Sequence, residues 1–273
     1  MTRIPLNGLI NAVPLPAYCS AVNLLTTLRG RSYRVRPFGE DGIHVAEDFG
    51  SSDPKQIHIC RRGRHWRYKR GVMHGVDVLA RQYGLNSLDI QPGGVFVDCG
   101  ANVGELGIWA HQRGLAYIAF EPETLEARCC DLNNFDGHPE TRRKALWHEA
   151  TVLQFHSKPD TADSSVFEID AAAPPRLVEA VRLDAAIDPM DFGTGTRIFK
   201  LEAEGAEPEV LAGAKGILSH FDYVAADCGY ERGRNAAHTF VEVHDLLLAA
   251  GFRLVHASFG RITAIYRNEG RNE

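Results

Sequence analysis

Asp98, Glu121, Glu202 and Asp227 are acids that each stand at the end of a short, largely apolar run: Val95–Val97, Ala116–Phe120, Arg197–Leu201 and Tyr223–Ala226. Runs of this length suit strands buried on both faces. In an open α/β sheet a ligand lies beyond the carboxyl ends of the strands. Strands ending this way bring carboxylates to one edge, where they can accept hydrogen bonds from hydroxyls or an ammonium, take a proton, or hold a cation. One such acid needs no function. Several on a single edge point to a site.

The stretch after Val97 is the richest: Asp98-Cys99-Gly100-Ala101-Asn102-Val103-Gly104. Gly100 and Gly104 can take positive φ or let backbone approach a ligand, and Asn102 tolerates the left-handed region. Glu105–Arg113 reads as a helix with Leu106, Trp109 and Ala110 on one face and Gly114 as its stop. Strand, glycine turn and helix begin a nucleotide-binding crossover, and Glu121 stands about 20 residues past the turn, where an acid grips a ribose diol. The spacing Gly-x-x-x-Gly departs from the Gly-x-Gly-x-x-Gly of a dinucleotide fingerprint.

The elements that must position these residues follow from hydrophobic period. Ala17, Ala21, Leu24, Leu25 and Leu28 predict an amphipathic helix stopped by Gly30. It packs on the main domain or on a partner subunit, so a homo-oligomer through the N-terminal region is one expectation. Tyr33–Phe38, Ile43–Ala46 and Ile57–Cys60 read as strands, and Val72, Val76, Leu79, Ala80 and Tyr83 as a helix whose glycines, Gly71 and Gly75, weaken its first turn. Between them Arg61, Arg62, Arg64, His65, Arg67, Lys69 and Arg70 interleave with Trp66 and Tyr68. That run is either a solvated face or a site for an anionic partner. Pro92-Gly93-Gly94 marks a hinge, dividing the chain into an N-terminal accessory region, 1–92, and a main domain, 93–269.

In the main domain Leu125, Cys129 and Leu132 mark the buried face of a helix after Pro122, Arg142–Trp147 is a weak third strand, and Val152–Phe155 an extra one. Asp163-Ser164-Ser165 is a polar loop, and Pro174-Pro175 marks irregular chain. Helices follow through Val210, Leu211, Ala214 and Leu218, and through Phe240, Val243 and Leu247. Phe252–Ala257 and Ile262–Tyr266 close as an antiparallel pair. Alternating strands and helices imply an α/β fold with a mostly parallel sheet.

Composition is that of a globular protein, 44% apolar and 24% charged, and the net charge of −5 provides no field favouring nucleic acid. The six cysteines include no C-x-x-C pair and read as thiols of a reducing compartment. The first residues hold no clean apolar run of the signal-peptide kind, and no stretch approaches a membrane span, so a cytoplasmic protein is expected. No histidine pair has metal-binding spacing.

Asp98-x-Gly100-x-Asn102-x-Gly104 resembles the first motif of S-adenosylmethionine-dependent methyltransferases. Lys200-Leu201-Glu202-Ala203-Glu204-Gly205-Ala206-Glu207-x-x-Val210-Leu211-x-Gly213-Ala214 is similar to the signature segment of the FkbM methyltransferases, and Phe120-Glu121-Pro122-Glu123 to a cofactor motif of that family. The resemblance runs from about Gly94 to Arg267 in the right order; the family commonly has Asp where Glu202 stands. It implies a Rossmann-like class I methyltransferase fold, with a mostly parallel seven-stranded sheet, a terminal antiparallel hairpin and, here, an N-terminal extension. It also implies S-adenosylmethionine as cofactor, held by Asp98, Gly100, Asn102, Gly104 and Glu121, and O-methylation of sugars or of polyketide-type products. Tyr68–Gly71, Gly104–Leu106, Asp163–Ser165 and Asp227–Gly233 are similar to a branch associated with bacterial surface polysaccharides, so a sugar, glycan or glycolipid acceptor is expected.

The chemistry required is in-line displacement with removal of a hydroxyl proton. Glu202 or Glu204 is the expected base, its pKa raised by burial and neighbouring acids, with Asp227 holding the acceptor. Glu202 and Asp227 could alternatively share a divalent cation, but an acid pair alone is too loose to assign a metal. The Arg61–Arg70 run is expected to meet an anionic acceptor such as a sugar phosphate or lipid-linked glycan. RNA is the remaining alternative for it, and nucleic acid is not expected: the Asp/Asn-Pro-Pro-Tyr/Phe and Pro-Cys motifs are absent, as is the Tyr-x-x-x-Lys of many nicotinamide dehydrogenases.

Overall fold

The computed structural model describes residues 10–39, 42–50, 55–156, 166–167 and 175–271. The polar loop expected at Asp163–Ser165 lies outside the described residues. In the N-terminal part a helix, α1 (Leu15–Leu28), precedes an antiparallel sheet of β1 (Tyr33–Pro37), β2 (His44–Asp48) and β3 (Gln56–Ile59). The helical period predicted α1 but not its buried face. Tyr18, Cys19, Val22 and Thr26 are buried, whereas Leu24 and Leu28 are 62% and 75% exposed. Polar bonds set this orientation. Asn23 donates to the Val35 carbonyl (2.7 Å) and accepts from the Val35 amide (2.8 Å), pinning α1 to β1.

A 3₁₀ turn, Arg62–Tyr68, leads into α2 (Val72–Gln82). With about three residues per turn, residues three apart share a face. His65 and Tyr68 point inward. Gly75 lies against the Tyr68 ring, where a Cβ would stand 2.7 Å from a ring carbon. Its presence in the first turn of α2 is therefore a packing requirement.

The rest of the chain alternates: β4 (Val95–Cys99), α3 (Glu105–His111), β5 (Ala116–Phe120), α4 (Thr124–Asn134), β6 (Ala145–Leu146), β7 (Thr151–Phe155), β8 (Arg176–Val181), α5 (Leu183–Ala186), β9 (Arg197–Leu201), α6 (Glu207–Ala212), β10 (Tyr223–Asp227), β11 (Tyr230–Arg232), β12 (Ala237–His238), α7 (Phe240–Ala249), β13 (Phe252–Ser258) and β14 (Thr263–Asn268). Among the described residues the main sheet has six strands in the order β13-β14-β10-β9-β4-β5. β10, β9, β4 and β5 are parallel, and β14 runs antiparallel to both β10 and β13. The expected terminal hairpin is present.

Among the described residues the seventh strand is not. Arg142 makes a single bridge to Phe120, and the chain then leaves the sheet edge. Ala145–Leu146 pairs instead with β8 in a separate sheet, β6-β8-β7. The third strand was thus drawn away by a partner, Arg176–Val181, that local sequence did not mark as a strand.

Each central strand feeds two cores, which explains its unbroken apolar run. Val95, Val97 and Cys99 face one side, with Phe199, Leu201, Val210, Leu211 and Val243. Phe96 faces the other, with Ile198, Leu106, Trp109 and Val76. A third cluster joins the N-terminal sheet to the main domain: Tyr33, Ile57, Tyr68 and Val72 pack with Val103 of the glycine turn and Cys129 of α4. In α4 the expected Leu125 is 42% exposed, and Ala127, Cys129 and Cys130 are buried. Among the described residues no helix is long and apolar enough to cross a membrane.

Asn133 is the polar latch of this junction. It donates to the carbonyls of His58 (3.0 Å) and Val103 (2.7 Å) and accepts from the His58 amide (2.8 Å). Asn133→Ala strands these backbone groups, so urea unfolding should show a loss of about 2 kcal/mol or more. A midpoint equal to that of the unaltered protein would show that the latch carries no stability.

Candidate functional site

Register builds the site. Phe96 on β4 sits opposite Ile198 on β9, and two residues on Asp98 sits opposite Lys200. An apolar rung is thus followed by a charged one on the same face. Lys200 is buried, with Nζ 3.0 Å from Asp98 Oδ1 and 3.0 Å from Glu202 Oε2. It also donates to the carbonyls of Cys99 (2.9 Å) and Gly100 (2.7 Å). Burial alone would lower the lysine pKa; Asp98 and Glu202 overcome it and hold the ammonium charged. Burial also holds Asp98 above the usual carboxylate range against the pull of Lys200, and the other oxygen of Asp98 accepts from Tyr117 (2.8 Å).

The glycine turn is shaped by the protein's own contacts. Gly100, Asn102 and Gly104 have φ of 73°, 51° and 79°. A Cβ on Gly100 would stand 2.4 Å from the Glu202 carbonyl oxygen, and one on Gly104 2.2 Å from Asn134 Nδ2. Glu121 straps the turn: its carboxylate accepts from the amides of Asn102 (2.7 Å) and Glu123 (2.8 Å). Burial pushes its pKa up to about 8, with those two amides opposing.

At the far end of the edge the acids differ sharply. Glu202 was expected to have a raised pKa. Burial does push that way, but Lys200 and Arg261 win and hold it at about 2. Arg261, from the turn between β13 and β14, reaches Glu202 Oε1 with Nη2 (2.6 Å) and Asp227 Oδ2 with Nε (2.5 Å). A guanidinium therefore bridges the two acids that on sequence could have shared a divalent cation. Tyr83 lies beneath, its ring 5.6 Å from Lys200 Nζ and 5.7 Å from the Arg261 guanidinium. Burial and Glu202 raise Asp227 to about 6, against Arg261. Glu204 sits at φ 51° just past β9. Glu231, on β11, has a buried Oε2 with no hydrogen-bond partner among the described residues. Burial, then Asp227 and Glu202, raise it to about 8.

A cavity of about 320 Å³ crosses this edge. Asp98, Gly100, Asn102, Glu121, Glu202 and Glu204 all line it. Gly104 and Asp227 are not among its lining residues: Gly104 packs against α4, and Asp227 stands behind Arg261. Phe120, Leu146 and Phe155 add an apolar wall beside Glu121. Sequence reasoning missed Glu231 and Arg261, since one acid in a short strand and one arginine in a hairpin turn carry no local signal. Arg61, Arg64 and Arg67 also line the cavity, so this part of the basic run is not simply a solvated face.

The chain matches the Methyltransferase FkbM domain over residues 98–254, more than half of its length, and it belongs to that family. No curated protein matches it. Similar solved structures include a ribosomal protein L11 methylase from Lactobacillus delbrueckii subsp. bulgaricus, with 17% identity over 73% of this chain and 82% of that one and a TM-score of 0.41. A TehB-like SAM-dependent methyltransferase from Corynebacterium glutamicum shares 14% identity over 70% and 86%, with a TM-score of 0.38. Magnesium protoporphyrin IX methyltransferase from Synechocystis PCC 6803, solved with bound SAM, shares 12% over 74% and 81%, with a TM-score of 0.37.

Lys200→Met leaves Asp98 and Glu202 facing each other without their ammonium. Removing one partner of a buried ion pair costs about 3–5 kcal/mol, so guanidinium unfolding at neutral pH should show a loss of that order. A loss below 1 kcal/mol would mean that Lys200 is not what holds the edge together.

Proposed function

We propose that this FkbM-family methyltransferase transfers a methyl group from S-adenosylmethionine to a hydroxyl oxygen of a sugar or glycan. The observation that carries the reading is the shared cavity. The glycine turn with Glu121 and the carboxylates of Glu202, Glu204 and Glu231 open onto one space. The sheet order with its terminal hairpin supports a class I methyltransferase architecture.

Glu121 is assigned to the ribose diol. Each of its oxygens accepts one backbone amide, which leaves a lone pair on each for a ligand hydroxyl. Asp98, Gly100, Asn102 and Gly104 complete the cofactor set. Asp98 acts through Lys200, which fixes the Gly100 carbonyl. Gly104 holds the turn against α4. Phe120, Leu146 and Phe155 offer an apolar wall to a purine.

S-adenosylmethionine supplies a methyl carbon on a sulfonium that is already a good leaving group. The protein must align the acceptor oxygen and receive its proton. The hydroxyl oxygen bonds to the methyl carbon as the carbon–sulfur bond breaks and its electron pair stays on sulfur. Glu202 and Asp227 hold Arg261 and fix the acceptor end. Glu204 or Glu231 takes the proton, because Glu202, ionised and paired with two cations, is a poor acceptor. A wall of carboxylates suits a polyhydroxyl acceptor, since each accepts hydrogen bonds from hydroxyls.

Glu121→Ala should weaken S-adenosylhomocysteine binding in calorimetry, since a charge-assisted hydrogen bond is worth about 1.5–3 kcal/mol before water compensates. Unchanged affinity in the folded variant would remove Glu121 from the cofactor site.

Transfer of labelled methyl from S-adenosylmethionine to a panel of glycans tests the activity itself. Glu204→Gln or Glu231→Gln should slow it about 10²–10⁴-fold, the usual worth of a general base, with cofactor affinity kept. If Glu231 is the base, the unaltered rate rises with pH and flattens above about 8, because the carboxylate must be ionised to act. Both variants turning over within a few-fold of the unaltered protein would mean that the proton leaves by another route.

A further inference from the structure

The arginines of the 3₁₀ turn are the part of the cavity that the proposed reaction has not used. Arg61, Arg64 and Arg67 are spaced three apart, so they project on one face while His65 and Tyr68 are buried on another. All three line the cavity. Their acidic neighbours hold them unequally. Arg61 pairs with Glu126 at 2.6 Å. Arg64 and Arg67 both face Glu105, each at 3.8 Å, which is ion-pair range but too long for a hydrogen bond. Glu105 accepts from the Tyr68 hydroxyl, 2.6 Å away.

The other cations of the cavity are committed. Lys200 is bound to Asp98, Glu202 and two carbonyls, and Arg261 to Glu202 and Asp227. Lys144 pairs with Glu179 of β8 at 3.1 Å. Arg64, with its side chain 18% exposed, is enclosed yet meets Glu105 only at 3.8 Å, and it lies beside the first turn of α3, directly after the glycine turn.

We propose that Arg64 and Arg67, backed by Arg61, form an oxyanion site within the cavity that takes a carboxylate or phosphate group. A guanidinium fork matches such a group with two parallel hydrogen bonds. Two ligands of the proposed reaction can bring one: the amino-acid carboxylate of the cofactor, or an acid group on the acceptor. The inference rests on the methyltransferase reading for the identity of those ligands, but not for the existence of the site. It makes the N-terminal part of the chain a wall of the binding site, carried there by the latch between β3 and α4.

Calorimetry on the full chain separates the cases, using Arg64→Met/Arg67→Met and, as the charge-retaining control, Arg64→Lys. The probes are S-adenosylhomocysteine, 5′-methylthioadenosine, which lacks the amino-acid end, and glucose 1-phosphate with and without saturating S-adenosylhomocysteine. If the site holds the cofactor carboxylate, the double variant loses about tenfold or more for S-adenosylhomocysteine and keeps its affinity for 5′-methylthioadenosine. If it holds the acceptor, S-adenosylhomocysteine is unaffected, and glucose 1-phosphate binds the unaltered protein, weakens with salt and is lost in the double variant. Either result supports the site, and Arg64→Lys should fall between. The proposal is overturned if every probe binds the double variant as it binds the unaltered protein. It is also overturned if both nucleosides weaken equally, since the arginines would then only brace the fold. Failure of the unaltered protein to bind either nucleoside would end the methyltransferase reading instead. The glucose 1-phosphate titration without nucleoside would still decide the arginines: loss in the double variant supports the site, and no binding to the unaltered protein removes it.

Discussion

One buried ammonium holds the functional edge in shape. Lys200 projects from β9 across to β4, where it meets Asp98, the two carbonyls that open the glycine turn, and Glu202 at the end of its own strand. Desolvating a lysine is costly unless opposite charge surrounds it, so the acids are required by the lysine as much as it is by them. The close approach of the turn to β9 then admits only glycine at position 100. The backbone that would face a ligand is therefore fixed before any ligand arrives.

From that centre the charge pattern spreads in both directions. Toward β10, Glu202 hands its second oxygen to Arg261, which carries the order on to Asp227. Beyond that chain Glu231 has a buried oxygen without a hydrogen-bond partner among the described residues, and burial with the charges of Asp227 and Glu202 raises its pKa. Toward β5, Glu121 ties the middle of the turn to the start of α4. Over the top, the N-terminal sheet closes on Val103 and Cys129 and brings arginines to the same space. Acids of low and high pKa thus lie within one cavity, an arrangement expected where one group must stay charged and another must exchange a proton.

Much of this was legible in the residues. The apolar runs gave the strands because central strands feed two cores, and the acids at their ends marked the edge. The glycine turn was visible because positive φ and close approach both restrict residue choice. What escaped depended on contacts between distant segments. The strand at Ala145–Leu146 left the main sheet for β8, a partner some thirty residues on. The buried face of α1 was decided by Asn23 against β1, not by its leucines. With Lys200, Arg261 lowers the pKa of Glu202 from 59 residues away. The arginines did carry a local signal, a three-residue spacing with His65 and Tyr68 in the complementary register, but it is readable only once the segment is known to be 3₁₀.

A crystal structure with S-adenosylhomocysteine bound tests the arrangement of this cavity most directly. In it the ribose hydroxyls should lie on Glu121, the purine against Leu146 and Phe155, and the sulfur should be directed toward the end of the cavity walled by Glu202, Glu204 and Glu231. A nucleoside bound elsewhere, or seated with its sulfur turned away from those carboxylates, would contradict it.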